Sequence, residues 1–177
     1  LSTATALFNL GLVARMSNRL QYAVELLEEA LVLWRANRSP KWIGLTTEAL
    51  GITHRRLGNL AQAEALLMES RDIFQRQGDS TGVAVSTNQL GIVAHDQGDY
   101  ARAITMNLES FDLFESVGSP HGAIESLEWI AVSAGSAGLH ESAMRLLGAT
   151  IALRAALDLD QIELEATDIE KGMQYTR

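Results

Sequence analysis

Cysteine is absent from this sequence. The chain therefore forms no disulfide and supplies no thiolate as a nucleophile or metal ligand. No stretch approaches the roughly 20 apolar residues that a membrane-spanning helix requires, and no basic and then apolar leader opens the sequence. We therefore expect a cytoplasmic protein that makes no contact with a membrane.

Basic residues are also scarce, because 14 lysines and arginines face 22 acidic residues and leave a net charge of -8. A negative chain repels phosphate backbones and lacks the electrostatic attraction that drives nucleic-acid binding. We therefore expect no direct contact with DNA or RNA. Much of the acidity lies in residues 158–177, and the remainder of the chain is closer to neutral.

What the sequence does contain is one unit repeated four times at an interval of 40 residues. The first half of each unit is marked by Leu10-Gly11, Leu50-Gly51, Leu90-Gly91 and Ile130-Ala131, and the second half by Ala23, Ala63, Ala103 and Ala143. A unit of this kind cannot bury its apolar side alone, so successive units must stack into an open solenoid.

Each unit is predicted to contain two helices. Apolar residues recur at helical spacing, as in Ala23, Leu26, Leu27 and Ala30, and helix-breaking residues separate segments of about 15 to 18 residues. The breaks lie at Asn18, Gly58, Gly98 and Gly138 inside the units, and near 37–40, 78–80, 118–120 and 157–160 between them. The predicted fold is an all-α superhelix with units at about 1–38, 39–78, 79–118 and 119–157.

Two further details follow from the same pattern. Ser39 and Ser119 each precede a proline at a predicted helix start, which favours a serine N-cap. The glycine of each Leu-Gly pair is expected to face the alanine of the second helix, so that the two helix axes approach closely.

Residues 158–177 are expected to form an acidic capping helix over the fourth unit, because Ile162, Ile169 and Met173 share one helical face. A disordered acidic tail is the alternative.

Three features together resemble the tetratricopeptide repeat: Leu-Gly in the first helix, the segment Gly-Asp-Tyr-Ala-Arg-Ala at 98–103, and a small residue seven positions after the alanine. The resemblance extends over about residues 4–157. Residues 143–157 are also similar to the end of the repeat domain in large MalT-like bacterial transcriptional regulators, which join an ATPase, a helical sensor and often a helix-turn-helix domain. This second resemblance implies a regulatory interaction domain, since the chain has neither a phosphate-binding loop nor a basic recognition helix.

First helices line the concave surface of tetratricopeptide repeats, so the resemblance assigns a candidate partner-binding groove to them. Its residues are Asn9, Leu12, Arg15, Glu48, Ile52, Arg55, Asn88, Gln89, Ile92, His95, Asp96, Glu125, Glu128 and Trp129. An apolar spine of Leu12, Ile52, Ile92 and Val132 between polar residues is typical of a groove for a peptide or helix. The alternative is that this spine packs the first helices against one another.

The aromatic, histidine and glutamate residues of the groove each have a plainer interpretation than a binding or catalytic role. Trp129 could anchor a partner or fill the last layer between units. His54, His95 and Asp96 have no regular metal-ligand spacing, so we expect solvated or capping histidines and no metal. Glu125 and Glu128 are interpreted as surface carboxylates. We expect no cofactor and no catalytic activity.

The sequence thus favours a non-catalytic module that binds a protein or peptide, from another chain or from its own. Two alternatives stay open. One is a structural module that forms a homodimer through its first unit, where Leu7, Leu10 and Val13 are expected to be partly uncovered, and through its convex second helices. The other is a receptor for a signalling peptide or a small ligand.

Overall fold

The computed structural model describes residues 2–159, and this range contains helices and short links but no strand. The helices are α1 (Ser2–Met16), α2 (Leu20–Ala36), α3 (Pro40–Arg56), α4 (Leu60–Gln77), α5 (Ser80–Asp96), α6 (Tyr100–Ser116), α7 (Pro120–Ser136) and α8 (His140–Ala156). They pair into four two-helix units, and their lengths of 15 to 18 residues match the prediction. The capping helix predicted for residues 158–177 lies almost wholly outside the described residues.

A residue in the left-handed backbone conformation follows each helix. These residues recur every 20 positions: Asn18, Arg38, Gly58, Gly78, Gly98, Gly118, Gly138 and Asp158. Glycine occupies five of the eight positions because it adopts a positive φ without steric cost. The regular spacing of these residues sets the ends of the helices.

Aspartate, and not serine, supplies the side-chain N-caps in this structure. Asp79 accepts a hydrogen bond from the amide of Gly82 at 2.9 Å, and Asp99 accepts one from the amide of Arg102 at 3.1 Å. Ser39 and Ser119 occupy the N-cap positions of α3 and α7, but their hydroxyls make no capping bond. The predicted serine caps are therefore wrong in their hydrogen bonding and right in their position.

The first helices α1, α3, α5 and α7 form the inner side of the solenoid. Every helix packs against its neighbours along the chain, and each first helix also contacts the first helix of the next unit. Successive second helices contact each other less, which places them on the outer side. Long side chains bridge them there, as in the ion pair of Arg35 with Glu69 at 3.0 Å and that of Arg102 with Glu64.

Close approach inside each unit depends on the glycine of the Leu-Gly pair. A β-carbon added at Gly11 would stand 2.7 Å from Cγ of Leu27, and one at Gly51 would stand 2.7 Å from Cγ of Leu67. The glycine was expected to face the alanine of the second helix. It instead faces the leucine four positions later, and the carbonyl oxygen of the alanine lies farther away.

A buried polar seam explains the small residue seven positions after the alanine in units two and three. The hydroxyl of Ser70 donates to the carbonyl of Gly44 at 3.0 Å, and that of Ser110 donates to the carbonyl of Ala84 at 2.9 Å. Ser126 of the next first helix donates to Ser110 at 3.1 Å. A larger residue in the seam would remove these bonds and overpack the contact between three helices.

Candidate interaction surface

We call the side formed by α1, α3, α5 and α7 the inner surface. Residues 40 positions apart occupy equivalent places on successive first helices, so they form rows that cross the units. The predicted groove consists of such rows, and the structure divides its members into buried and accessible side chains.

The apolar spine is partly core. Ile92 and Val132 are buried and pack together with Trp129, which is 6% exposed. Leu12 and Ile52 of the first two units are only partly buried. The spine therefore packs the first helices against one another in units three and four, and it is accessible mainly in units one and two.

Trp129 fills the layer between α5 and α7, and this decides between its two predicted roles. Its ring meets the ring of His95 edge-on, with centroids 5.7 Å apart. His95 in turn shares a hydrogen bond between Nδ1 and the hydroxyl of Ser133 at 3.1 Å. A side chain held in this way gives a ligand little to contact.

The two histidines do not form a metal site. His54 is buried, and its Nδ1 lies 3.3 Å from the side-chain amide nitrogen of Asn59. Burial lowers the pKa of His54. Of the two states expected for this histidine, solvated or capping, burial excludes the first. Within residues 2–159, no group of three histidine, aspartate or glutamate side chains could hold a metal ion.

Glu128 is a buried half of an ion pair, which overturns its interpretation as a surface carboxylate. Arg154 of α8 donates from Nε to Oε1 and from Nη2 to Oε2, each at 2.7 Å. Burial raises the pKa of the partly buried Glu125, and the nearby charge of Glu128 raises it further. The hydrogen bonds to Glu128 raise the pKa of Arg154.

Asn88 and Gln89 also differ in accessibility. Asn88 is 2% exposed and donates to Asn107 at 2.9 Å and to Ser126 at 3.4 Å. Gln89 is partly exposed and donates to the side-chain oxygen of Asn88 at 3.4 Å. Of these two residues, only Gln89 has a side-chain amide that a ligand can reach directly.

An arginine cluster occupies the inner surface of units one and two. Arg15 and Arg55 stand at equivalent positions, and Arg56 donates to the carbonyl oxygen of Arg15 at 2.9 Å. Nη1 of Arg15 and Nε of Arg55 are buried without a hydrogen-bond partner in the part of the chain that the structure describes. Burial lowers the pKa of Arg15, and Arg56 lowers it further.

Acidic residues neutralise this cluster only in part. Asp96 accepts a hydrogen bond from Nη1 of Arg55 at 2.9 Å. Glu48 lies close enough to Arg15 to raise the pKa of Arg15, but burial raises the pKa of Glu48 itself to about 7, against a hydrogen bond from Ser86 that lowers it. Asp79 raises that pKa as well. Near neutral pH, Glu48 is therefore only partly charged, and the cluster carries a net positive charge.

The inner surface is thus polarised along the solenoid. Its first two units present arginines, whereas its last unit presents Glu125 beside the Glu128–Arg154 pair. Asn9, in the first helix, is exposed at the basic end. This arrangement suits a bound chain that carries an acidic side chain near units one and two.

A separate recess of about 570 Å³ lies between the α4–α5 link and α6. Arg71, Ser80 and Glu109 are among its lining residues. It is open and polar, in contrast to the enclosed, mainly apolar pockets that hold most small ligands.

None of the helices in the described range is long and apolar enough to span a membrane.

Comparison with known proteins agrees with the repeat pattern. The sequence model of the tetratricopeptide repeat family matches residues 42–116. No curated protein sequence matches the chain. The fold is that of a tetratricopeptide-like solenoid, as solved structures show.

Three of these structures illustrate the range of proteins that share the fold. BtubC (BKLC) from P. vanneervenii superposes with a TM-score of 0.75 at 18% identity, over 90% of this chain and 66% of that one. A Rap protein complexed with competence and sporulation factor gives 0.80 at 14%, over 87% and 43%. Aspartyl phosphate phosphatase F from Bacillus subtilis gives 0.81 at 11%, over 98% and 48%. This chain therefore spans from under half to about two thirds of these proteins, and such low identities establish a common fold only.

Proposed function

We propose that this chain is a non-catalytic module that binds a peptide or protein segment on its inner surface, with an acidic side chain of the ligand at the arginine cluster. The observation that carries the proposal is the pair of unpartnered buried donors, Nη1 of Arg15 and Nε of Arg55. Buried polar groups rarely lack partners, because an unmade hydrogen bond costs about 1 to 3 kcal/mol. The two side chains are themselves only partly buried, so a ligand carboxylate at the cluster would supply the missing acceptors after a small shift of the guanidinium groups.

Several observations support a binding role over a catalytic one. Glu128, which could have served as an acid or base, is held by Arg154. The Rap protein, which shares this fold, is complexed with competence and sporulation factor. A solenoid of this fold can therefore bind another molecule. We further propose that the chain is a cytoplasmic sensory segment of a bacterial transcriptional regulator. The resemblance of residues 143–157 to the MalT-like proteins supports this proposal.

The test is a peptide array screened with the full chain. Each acidic peptide of 12 to 15 residues is paired with a version in which glutamines replace its acids. We expect hits among the acidic members, with an affinity loss of about tenfold or more in the Arg15→Gln/Arg55→Gln variant, because a charge-assisted hydrogen bond contributes about 1.5 to 3 kcal/mol.

The matched control is Arg35→Gln, which removes an exposed arginine from the outer side and leaves the inner surface intact. It should bind the acidic hits as the unmodified chain does. Equal binding of acidic and neutral peptides, or equal losses in the two variants, would contradict the proposal.

Self-association is a second candidate function, and exposed apolar residues at both ends of the solenoid favour it. Leu10 and Val13 on α1, and Met144 and Ile151 on α8, are all more than half exposed. Apolar groups gathered in this way mark protein interaction sites.

A further inference from the structure

A carboxyl group stands at one end of a chain of hydroxyl groups in the buried seam of unit two. Oε2 of Glu48 lies 3.3 Å from Oγ of Ser86, and Oγ of Ser86 lies 3.3 Å from Oγ of Ser70. The hydroxyl of Ser70 donates to the carbonyl oxygen of Gly44 at 3.0 Å. The chain of contacts thus leads from the inner surface to a backbone acceptor, through residues of α3, α5 and α4.

The number of protons in this chain favours the neutral form of Glu48. A hydroxyl group has one proton to donate, and Ser70 gives its proton to the backbone. Ser86 can therefore donate either to Ser70 or to Glu48. An ionised Glu48 takes the proton of Ser86, and the contact between the two serines is left without one. A protonated Glu48 donates to Ser86, which is then able to donate to Ser70, so every contact in the chain has one proton.

The next unit contains the same chain with a permanent donor at its end. Its members lie 40 positions after those of the first chain and are Asn88, Ser126, Ser110 and Ala84. The side-chain amide of Asn88 donates to Ser126 at 3.4 Å. The proton of Ser126 is directed to Ser110 at 3.1 Å or to the carbonyl of Gly122 at 3.0 Å. This position of the repeat therefore holds a donor, and a glutamate is a donor only when it carries a proton.

The surroundings of Glu48 also stabilise its neutral form. Burial raises its pKa to about 7, although the bond from Ser86 and the charge of Arg15 lower it. The charged groups that act on it most strongly from the neighbouring elements are Arg15 on α1 and Asp79, which precedes α5 and raises the pKa. The α4 helix contributes the uncharged Ser70. Near pH 7, both forms of Glu48 are therefore present.

We propose that the proton on Glu48 controls the arginine cluster, so that acidic ligands bind while Glu48 is neutral and its ionisation weakens their binding. This inference rests on the proposed function, because it concerns the same site. The charge of an ionised Glu48 acts on Arg15 in the opposite sense to Arg55 and Arg56, and Asp96 already pairs with Arg55. A ligand carboxylate then meets less positive charge and a like charge nearby. By linkage, a bound carboxylate must hold the proton on Glu48 more tightly.

The affinity of the full chain for an acidic peptide at pH 6 and at pH 8 tests the proposal. The probe is the acidic peptide that binds best in the array, because its carboxylates are ionised at both pH values. If only the neutral form of Glu48 binds, the apparent dissociation constant is the intrinsic one divided by the neutral fraction. With a pKa of about 7, the affinity should fall by about tenfold from pH 6 to pH 8.

Glu48→Gln is the decisive variant. Its amide can donate to Ser86 as Asn88 donates to Ser126, and it has no charge at any pH. It should bind the peptide at pH 8 as tightly as the unmodified chain does at pH 6. The matched control is Glu29→Gln, which removes an exposed carboxylate from α2 and should keep the tenfold fall. A fall that is equally steep in Glu48→Gln would overturn the proposal.

Two further readouts use the unmodified chain and do not depend on the folding of a variant. Carbon NMR of the Glu48 carboxyl without peptide should show a titration midpoint near 7. A midpoint near the ordinary glutamate value would refute this inference and leave peptide binding untouched. Calorimetry at pH 7.5, in buffers that differ in their enthalpy of ionisation, counts the protons taken up on binding. We expect about three quarters of a proton per bound peptide, and no uptake would contradict the proposal.

The outcomes separate this inference from the function on which it rests. Peptide binding that is equally tight at pH 6 and at pH 8 would refute the control by Glu48 and leave the proposed function standing. If no acidic peptide binds at either pH, the proposed function fails and this inference fails with it, even when the NMR midpoint lies near 7.

Discussion

The buried ion pair between α7 and α8 provides the sharpest test of how the fourth unit is held together. Arg154 occupies a position that is Trp34, Phe74 and Phe114 in the other units. Its guanidinium makes two parallel bonds of 2.7 Å to Glu128, and both side chains are about 5% exposed. The pair therefore replaces the aromatic side chain of the other units with two buried charges, each of which is stabilised by hydrogen bonds to the other.

Removing one charge should therefore cost far more than removing both. Arg154→Met removes the two hydrogen bonds that hold the buried carboxylate of Glu128, and Glu128→Leu removes the same two bonds from the buried guanidinium of Arg154. Each single change should lower the free energy of unfolding by about 3 to 5 kcal/mol. The double variant should lose much less than the sum, by at least about 2 kcal/mol, because hydrophobic replacement of a whole buried pair is often nearly neutral.

Urea unfolding followed by circular dichroism measures these differences. Hydrogen exchange of α8 is the second readout, because terminal units of a solenoid can unfold separately. The control is Arg145→Met, whose partner Glu141 is 81% exposed, and which should change stability by less than about 1 kcal/mol. Additive single losses, or an Arg154→Met loss no larger than the control's, would refute the reasoning.

Further predictions concern packing, capping and pH. Gly51→Ala should destabilise the chain, because overpacking a buried leucine of α4 at 2.7 Å costs about 1 to 3 kcal/mol, whereas Gly148→Ala, with open space around its β-carbon, should stabilise it by about 0.5 to 1 kcal/mol in thermal unfolding. Asp99→Ala should lose about 1 kcal/mol of stability through its lost cap, while Ser119→Ala should lose almost none in the same measurement. Because the pKa of Glu48 rises from 4.5 to about 7 on folding, the folded state holds a proton that the unfolded state releases, so stability should fall as pH rises from about 4.5 to 7. Urea titrations across that range should show a flatter profile for Glu48→Gln, and an unchanged profile would contradict the shifted pKa.

The helix boundaries could be predicted because they depend on local chemistry that recurs. Gly58, Gly98 and Gly138 adopt a positive φ, as short-range backbone sterics require, and the same requirement returns every unit. The serine caps failed because a favoured residue type does not ensure a hydrogen bond. At Ser39 the backbone has the N-cap position, yet the hydroxyl makes no bond to the helix.

The burial of charged residues could not be predicted from helical spacing alone. Whether Glu128 faces solvent depends on how α8 lies against α7, and that is a property of the stacked units. A signal was nonetheless present in the repeat alignment, since Arg154 interrupts a column of aromatic residues. A cation in a column that is otherwise core requires a buried anion nearby, and Glu128 is the acidic residue that meets this need.

The division of the inner surface has a consequence for how a ligand is held. In units three and four the spine residues Ile92 and Val132 pack against Trp129, so they add little apolar contact area to any complex. If a ligand binds this surface as proposed, its affinity should come mostly from the arginine cluster and from the accessible Leu12 and Ile52. Interactions between partly exposed charges weaken as salt screens them. Binding through Arg15 and Arg55 should therefore decline as ionic strength rises, whereas binding through an apolar groove would be nearly indifferent to salt.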